Sequence, residues 1–404
     1  MKIRAERRPP GGPRLGQELR ALLALAAMLA VMHGCGGSGG VDSGGTGVAA
    51  PTLAVGPISG FGSIVVNGVH YDETTANIVD GDDQVLSAAA LTLGSMTRID
   101  ASTVATLGTR QEARAITIRV AEVLLGPVES VDPVALTVRV LGQTVAVTPG
   151  TVFEATLGAG LAALRVGSVV AVHGQIDTAA ARVVATRIEP RSNVSRYIVR
   201  GPVSSFDRTA LRLTIGTLVV SLAEAGTLPA TLPSGTLVRV KLRTSAQAGV
   251  WSATELRLDA QPLPDRENVE IEGRVTDFTS AQRFSVDGSV VDASAATVSG
   301  GTVALGARVE VEGRSSNGMI LARRVLVDAQ EGGGKEAIEI EGRITALDTT
   351  ARTFVVQGIT VGYANATFVG GSVDDLALNR KVEVRGRLAA DRSHVEASSI
   401  HLEL

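Results

Sequence analysis

Side chains able to do chemistry are few and scattered in this 404-residue chain. The histidines are His33, His70, His173, His394 and His401, and no His-x-x-x-His or His/Cys ligand spacing joins them. Asp72 and Glu396 follow His70 and His394 by two residues, an arrangement that chance supplies often. His394 and His401 are seven residues apart along one terminal strand, and an odd separation puts them on opposite faces. Histidines on the surface or at a rim are therefore expected. Asp80-Gly81-Asp82-Asp83 could interest a hard cation, but Gln84 and Val85 end the run before an EF-hand type ligand set is complete. It reads as a solvated turn between strands. Ser59 and Ser63 flank a Gly-Phe-Gly turn that accounts for them, with no recurring histidine partner. Gly36-Gly37-Ser38-Gly39-Gly40 matches Gly-x-Ser-x-Gly but has neither the strand nor the helix of a nucleophile elbow. Glu270/Glu272 and Glu310/Glu312 stand at i, i+2 on expected solvent faces, as solubilising positions. This inventory implies no metal and no cofactor, and it reads as that of a non-enzyme. An enzyme would need titratable groups from adjacent repeats to converge. The candidate ligand-binding residues are His70, Tyr71, Asp80 and Asp82, all in the first repeat.

The elements that must position these residues come from a repeat. Leu305-Gly306-Ala307-Arg308-Val309-Glu310-Val311-Glu312-Gly313 recurs as Gly167–Gly174 and Leu378–Gly386, and more weakly as Leu232–Val240 and Leu91–Ile99. Its period of two puts valines on one face and charged side chains on the other, the pattern of a half-buried strand entered from a turn. A second recurring element is an alternating run broken by one glycine: Gly56-Pro57-Ile58, Gly126-Pro127-Val128, Gly201-Pro202-Val203, Gly273-Arg274-Val275 and Gly342-Arg343-Ile344. These glycines are 70, 75, 72 and 69 residues apart, and each predicts a long strand with a bend or bulge. A second strand such as Phe354-Val355-Val356-Gln357-Gly358, a short third strand, an irregular link, the nonamer and a last strand complete each unit. Five strands in about 70 residues, with a bent first strand, is the plan of a small OB-like barrel. The fold class is therefore all-β: five tandem OB-like five-stranded β-barrels in a row. The repeats are placed at 54–121, 122–192, 193–263, 264–331 and 332–404. Glu189–Asn193, Gln261–Asp265 and Glu331–Lys335 read as hinging linkers. The joint near Ala121 has none, so the first two barrels are expected to pack rigidly.

Phe206, Phe278, Phe284 and Phe354 fall on inward positions of this alternation. That leaves Tyr71, Tyr197, Trp251 and Tyr363 as candidate exposed stackers, about one per barrel. The chain carries a net charge of −3. Residues 1–34 hold six basic and two acidic side chains, which leaves the remainder at −7. That sign argues against a nucleic-acid partner.

The first 34 residues read as a signal peptide: a basic segment, then the apolar run Ala21–Met32, too short for a confident membrane span. Cys35 is the single cysteine, so internal disulfide stapling is excluded. Gly34-Cys35 resembles the cleavage site of a bacterial lipoprotein signal, although Met32 and His33 are unusual there. The resemblance implies a lipidated Cys35, and Gly36 after it implies the outer membrane of the cell envelope. Residues 35–53 would then be a flexible Gly/Ser tether.

The bent glycine motif, the Phe-x-Val-x-Gly strand and the Leu-x-x-Gly-x-x-Val-x-Val-x-Gly element together resemble the bacterial domain of unknown function 5666. The fullest copy is Gly56–Gly68. The third repeat departs most, lacking the glycine after Val240. The resemblance implies tandem OB-like domains behind a lipoprotein signal and supplies no catalytic residues. The functional expectation is a structural or binding protein of the cell envelope. Its partners would be the membrane, through the lipid anchor, and an envelope polysaccharide or a protein. A carrier of one small ligand or oligosaccharide is the alternative.

Overall fold

The computed structural model describes residues 51–158, 160–259, 263–328 and 338–403. The signal peptide, Cys35, the tether up to Ala50, and the linker segments Gln261-Pro262 and Glu331–Lys335 lie outside them.

The fourth repeat shows the architecture most plainly, once the preceding strands are placed. The first repeat comprises β1 (Thr52–Pro57), β2 (Gly60–Phe61), β3 (Ile64–Val66), β4 (Val69–Asp72), β5 (Asn77–Val79), β6 (Met96–Ala101), β7 (Ala105–Leu107) and β8 (Arg110–Val120). The second comprises β9 (Leu124–Asp132), β10 (Thr137–Val140), β11 (Gln143–Phe153), β12 (Val169–Asp177) and β13 (Arg182–Pro190). The third comprises β14 (Tyr197–Asp207), β15 (Arg212–Ile215), β16 (Leu218–Ser221), β17 (Leu237–Leu242) and β18 (Trp251–Leu258). In the fourth are β19 (Arg266–Ser280), β20 (Arg283–Val286), β21 (Ser289–Asp292), β22 (Thr297–Ser299), β23 (Arg308–Ser316) and β24 (Met319–Asp328). The fifth holds β25 (Ile338–Asp348), β26 (Thr353–Val356), β27 (Ile359–Gly362), β28 (Thr367–Val369), β29 (Lys381–Leu388) and β30 (Val395–Leu402).

In the fourth repeat the first half of β19 pairs with β23 and its second half with β20. β20 pairs with β21, β21 runs parallel to β24, and β24 returns antiparallel to β23. That circuit closes a barrel in the strand order of an OB fold, and it removes the edges a five-stranded sheet would expose. The second, third and fifth repeats repeat it, each with a parallel closure of its third strand on its last. The first varies it, because its opening strand is interrupted between β1 and β2 and the β7–β8 hairpin is added.

The two repeated glycines now have physical reasons. The first lets the bent strand pass under the second strand: a Cβ on Gly273 would meet a Val286 methyl at 2.9 Å, and one on Gly126 would meet Leu141 at 2.5 Å. The glycine ending the nonamer sits where the register slips, between Glu312 and Gly313 and again between Arg385 and Gly386. The third repeat keeps that bulge, between Lys241 and Leu242, without a glycine.

The barrels are not beads in a row. β1 runs parallel beside β19, β2 parallel beside β25, and β9 antiparallel beside β14. Successive β1 residues serve different cores: Leu53 enters the fourth barrel's and Ala54 the first's. The second and third barrels share one continuous core, and Leu93 of the first repeat is buried in the fifth's. Glu189 and Pro190, expected in a linker, instead end β13. Glu189 is buried there, facing His173 across 3.7 Å and hydrogen-bonded by Arg187 at 2.8 Å.

Candidate functional site

Where the barrels meet, β6 and β8 of the first turn one face toward the other repeats. Arg98 on β6 and Arg119 on β8 are direct cross-strand partners, so their side chains share that face. They line a cavity of about 360 Å³ together with Arg200, Arg239 and Arg257 of the third repeat and five carboxylates, those of Asp83, Asp100, Glu122, Asp259 and Asp287. Most of these charges are matched. Arg200 spans Asp259 and Asp287, with 2.8 Å to the latter, and these two carboxylates hold its proton more tightly than usual although desolvation works the other way. Arg239 bonds the Glu122 carbonyl at 3.0 Å, and Arg119 bonds Asp83 at 2.6 Å. Arg98 is the exception. Among the described residues lining the cavity it is the one guanidinium without a hydrogen-bond or ion-pair partner. Burial lowers its pKa, and the positive charges of Arg119 and Arg266 lower it further against the opposing Asp100. Like charges in register across strands repel, and Arg98 has no ion-pair partner of its own to offset that repulsion.

The sequence candidates fall elsewhere. Asp82, expected in a solvated turn, has a buried carboxylate that ties the first barrel to the third through Arg196 at 2.8 Å and Lys241 at 2.9 Å. These cations hold its pKa down although burial alone would raise it. Asp80 shapes the turn by accepting the backbone N–H groups of Asp82 and Gln84. His70 and His173 are buried, 5% and 2% exposed, not at a rim. Tyr71, Tyr197 and Tyr363 are buried core residues and Trp251 packs against the core, so the four expected stackers offer no platform. Phe284 and Phe354 are inward as expected, whereas Phe278 is 39% exposed. Register slips on either side of Phe278 change which face it occupies. His70 and Asp82 address different neighbours, the fifth and third barrels, so the four candidates do not form one site.

A nucleophile-like constellation is assembled between two of the barrels. The Asn67-Gly68 hairpin folds β3 on β4 and brings Ser63 Oγ to 3.4 Å from His70 Nδ1, while His70 Nε2 is 3.5 Å from Glu339 of the fifth barrel. It borders an open groove with Arg110 and Glu341. The order Ser–His–Glu is that of a hydrolytic triad, and it does gather groups from two repeats. However, Arg110 Nη2 donates to His70 Nδ1 at 2.9 Å. That bond occupies the lone pair that would have to take the serine proton, so His70 is not poised as Ser63's base.

Residues 126–189, 272–325 and 341–401 match the family described as "Domain of unknown function (DUF5666)", and these segments are domains of that family. They fall in the second, fourth and fifth barrels; the opening copy at Gly56–Gly68, the fullest in motif, is not among the matched residues. A solved structure titled "drosophila Unr CSD456" is similar at 14% identity, over 51% of this chain and 97% of that one, with a TM-score of 0.12. A likeness at that score carries no argument, and the OB-like description rests on the strand pairings above. No curated protein matches. Among the described residues no helix is long and apolar enough to cross a membrane.

Proposed function

We propose that this protein is a non-enzymatic, lipid-anchored binding protein of the cell envelope whose joined barrels enclose a site for one small anionic ligand. The observation that carries the reading is Arg98: a half-buried guanidinium without a partner, opposite Arg119, on the wall of a cavity large enough for a small carboxylate or phosphate compound. Burial of Tyr71, Tyr197 and Tyr363, with Trp251 packed against a core, removes support for a sugar platform. The interlocked cores speak against five independent weak sites. The anchor rests on the Gly34-Cys35 motif and the Gly/Ser run behind it, with the outer membrane as its proposed location.

Thermal melting of the full chain with inorganic phosphate and with citrate tests the site. Binding to the folded state raises Tm with ligand concentration. Arg98→Met abolishes that response, and in ligand-free protein it raises Tm by relieving an unpaired charge. An Arg98→Met protein that still responds, or a wild type that never does, overturns the reading. Cys35→Ala is expected to move the protein from the membrane to the soluble fraction; unchanged fractionation refutes lipidation.

A further inference from the structure

The third barrel closes less completely than its neighbours. In the first, second, fourth and fifth barrels the last strand has two parallel partners in succession along one edge. In the fourth these are β21 beside Ile320-Leu321 and β22 beside Arg324–Leu326, in the fifth β27 and β28, in the first β4 and β5, and in the second the two halves of β11. In the third, β16 covers Trp251 and Ser252 of β18, and among the described residues Thr254–Leu258 then have β17 alone. The bent-strand glycines fix the equivalence: Gly273 pairs with Val309 and through it Val327, and Gly201 pairs with Val238 and through it Leu258. Glu255–Arg257 therefore correspond to the covered Arg324–Leu326. The segment that would cover them is Gly226-Thr227-Leu228, counted from the Ala225–Leu222 turn that matches Ala296–Ala293. It starts on a left-handed glycine, φ +74°, and runs into Pro229, which has no N–H to give a ladder. Arg208, in the β14–β15 turn, holds the Pro229 carbonyl at 2.9 Å.

The open edge has a defined chemistry. Asp259 donates its backbone N–H to the Leu237 carbonyl, so residues 255, 257 and 259 turn their backbone groups toward β17. Those of Thr254, Leu256 and Leu258 point to the open side. Thr254, Arg257 and Leu258 are exposed, Leu258 to 51%. The sequence Thr254-Glu255-Leu256-Arg257-Leu258 is self-complementary about Leu256. A second copy laid antiparallel puts Leu256 opposite Leu256, Thr254 opposite Leu258, and Glu255 opposite Arg257 on both sides of the two-fold axis. Outward backbone groups then meet outward backbone groups, and the Glu–Arg pairs take the closer, non-hydrogen-bonded positions. Charges that would mismatch most other strands attract this one.

We infer that Thr254–Leu258 of β18 is a docking edge for a second copy of this chain, which joins it as an antiparallel two-fold dimer. The partner strand supplies the neighbour that the other four barrels find within the chain. Glu255 is already paired with Lys241 at 2.7 Å and touches Arg257 of its own strand; across the axis it gains a second arginine. Arg257 and Leu258 also line the junction cavity, so the dimer forms at the rim of that cavity.

Sedimentation equilibrium of the purified full chain should show a monomer–dimer equilibrium. Glu255→Arg and Arg257→Glu each set like charges opposite one another, and each alone should weaken the dimer about tenfold or more. Mixing the two variants should restore it, because each strand then meets the opposite charge at both positions. Hydrogen exchange on the wild type is the second reading: the Leu256 and Leu258 amides should slow as concentration rises into the dimer range. A chain that stays monomeric, a dimer indifferent to both substitutions, or a mixture no tighter than its parts overturns the inference. If either variant fails to fold, the wild type decides, and exchange at Leu256 and Leu258 that ignores concentration overturns it equally.

Discussion

Buried glutamates set the acid limit of this molecule at the scale of single residues. Burial alone would raise the pKa of Glu189, but His173 facing it across 3.7 Å and the charges of Arg187 and Arg191 hold it at about 2. Glu339 is held at about 2 chiefly by His70, whose Nε2 is 3.5 Å away, helped by Arg385. A depressed folded-state pKa contributes stability above the ordinary value of 4.5 and loses it as pH falls through the folded value. Stability measured by urea unfolding should therefore decline between pH 4.5 and pH 2. Glu189 accounts for roughly 3 kcal/mol of the decline. Glu189→Gln should flatten that limb while lowering stability at neutral pH; an unchanged acid limb contradicts the assignment. None of this was legible in the sequence. Glu189-Pro190 looks like a linker, and the His173 that shares its environment lies on another strand.

At the scale of the element the sequence was far more informative. Valine alternation in the nonamer corresponds to β23 and β29, and the recurring glycines fall where a Cβ has no room. Gly386→Ala should cost roughly 1–3 kcal/mol, because the new Cβ would meet the Glu396 carbonyl oxygen at 2.3 Å, a backbone atom that cannot rotate away. Gly358→Ala is a control in which the added atom meets nothing within 4 Å, leaving only the cost of a left-handed φ of +74°. Equal melting temperatures for the two variants would show that space at the bulge is not the constraint. Alternation failed where bulges intervene. Phe278 sits between two register slips, and the period of two no longer predicts its face. It failed too for Glu270, Glu310 and Glu312, because a polar face reads the same in sequence whether water or another barrel covers it.

For the whole molecule, the repeat predicts five similar units but not how they meet. The contacts that join them come from residues that differ between repeats: Asp82, Arg98, Leu53, Leu93 and Arg187 each have one role in one barrel. A pattern found by self-similarity is blind to such residues, so the cavity left no trace in the motif. The same asymmetry separates two accounts of binding. Five equivalent barrels acting as modules would bind several ligands per chain, whereas a site made by their union binds one. Titration calorimetry of the full chain, with whichever anion raises its melting temperature, decides between them. One ligand per chain, with the heat abolished in Arg98→Met, is the predicted result. Several equivalent ligands per chain, or undiminished heat in Arg98→Met, would contradict it.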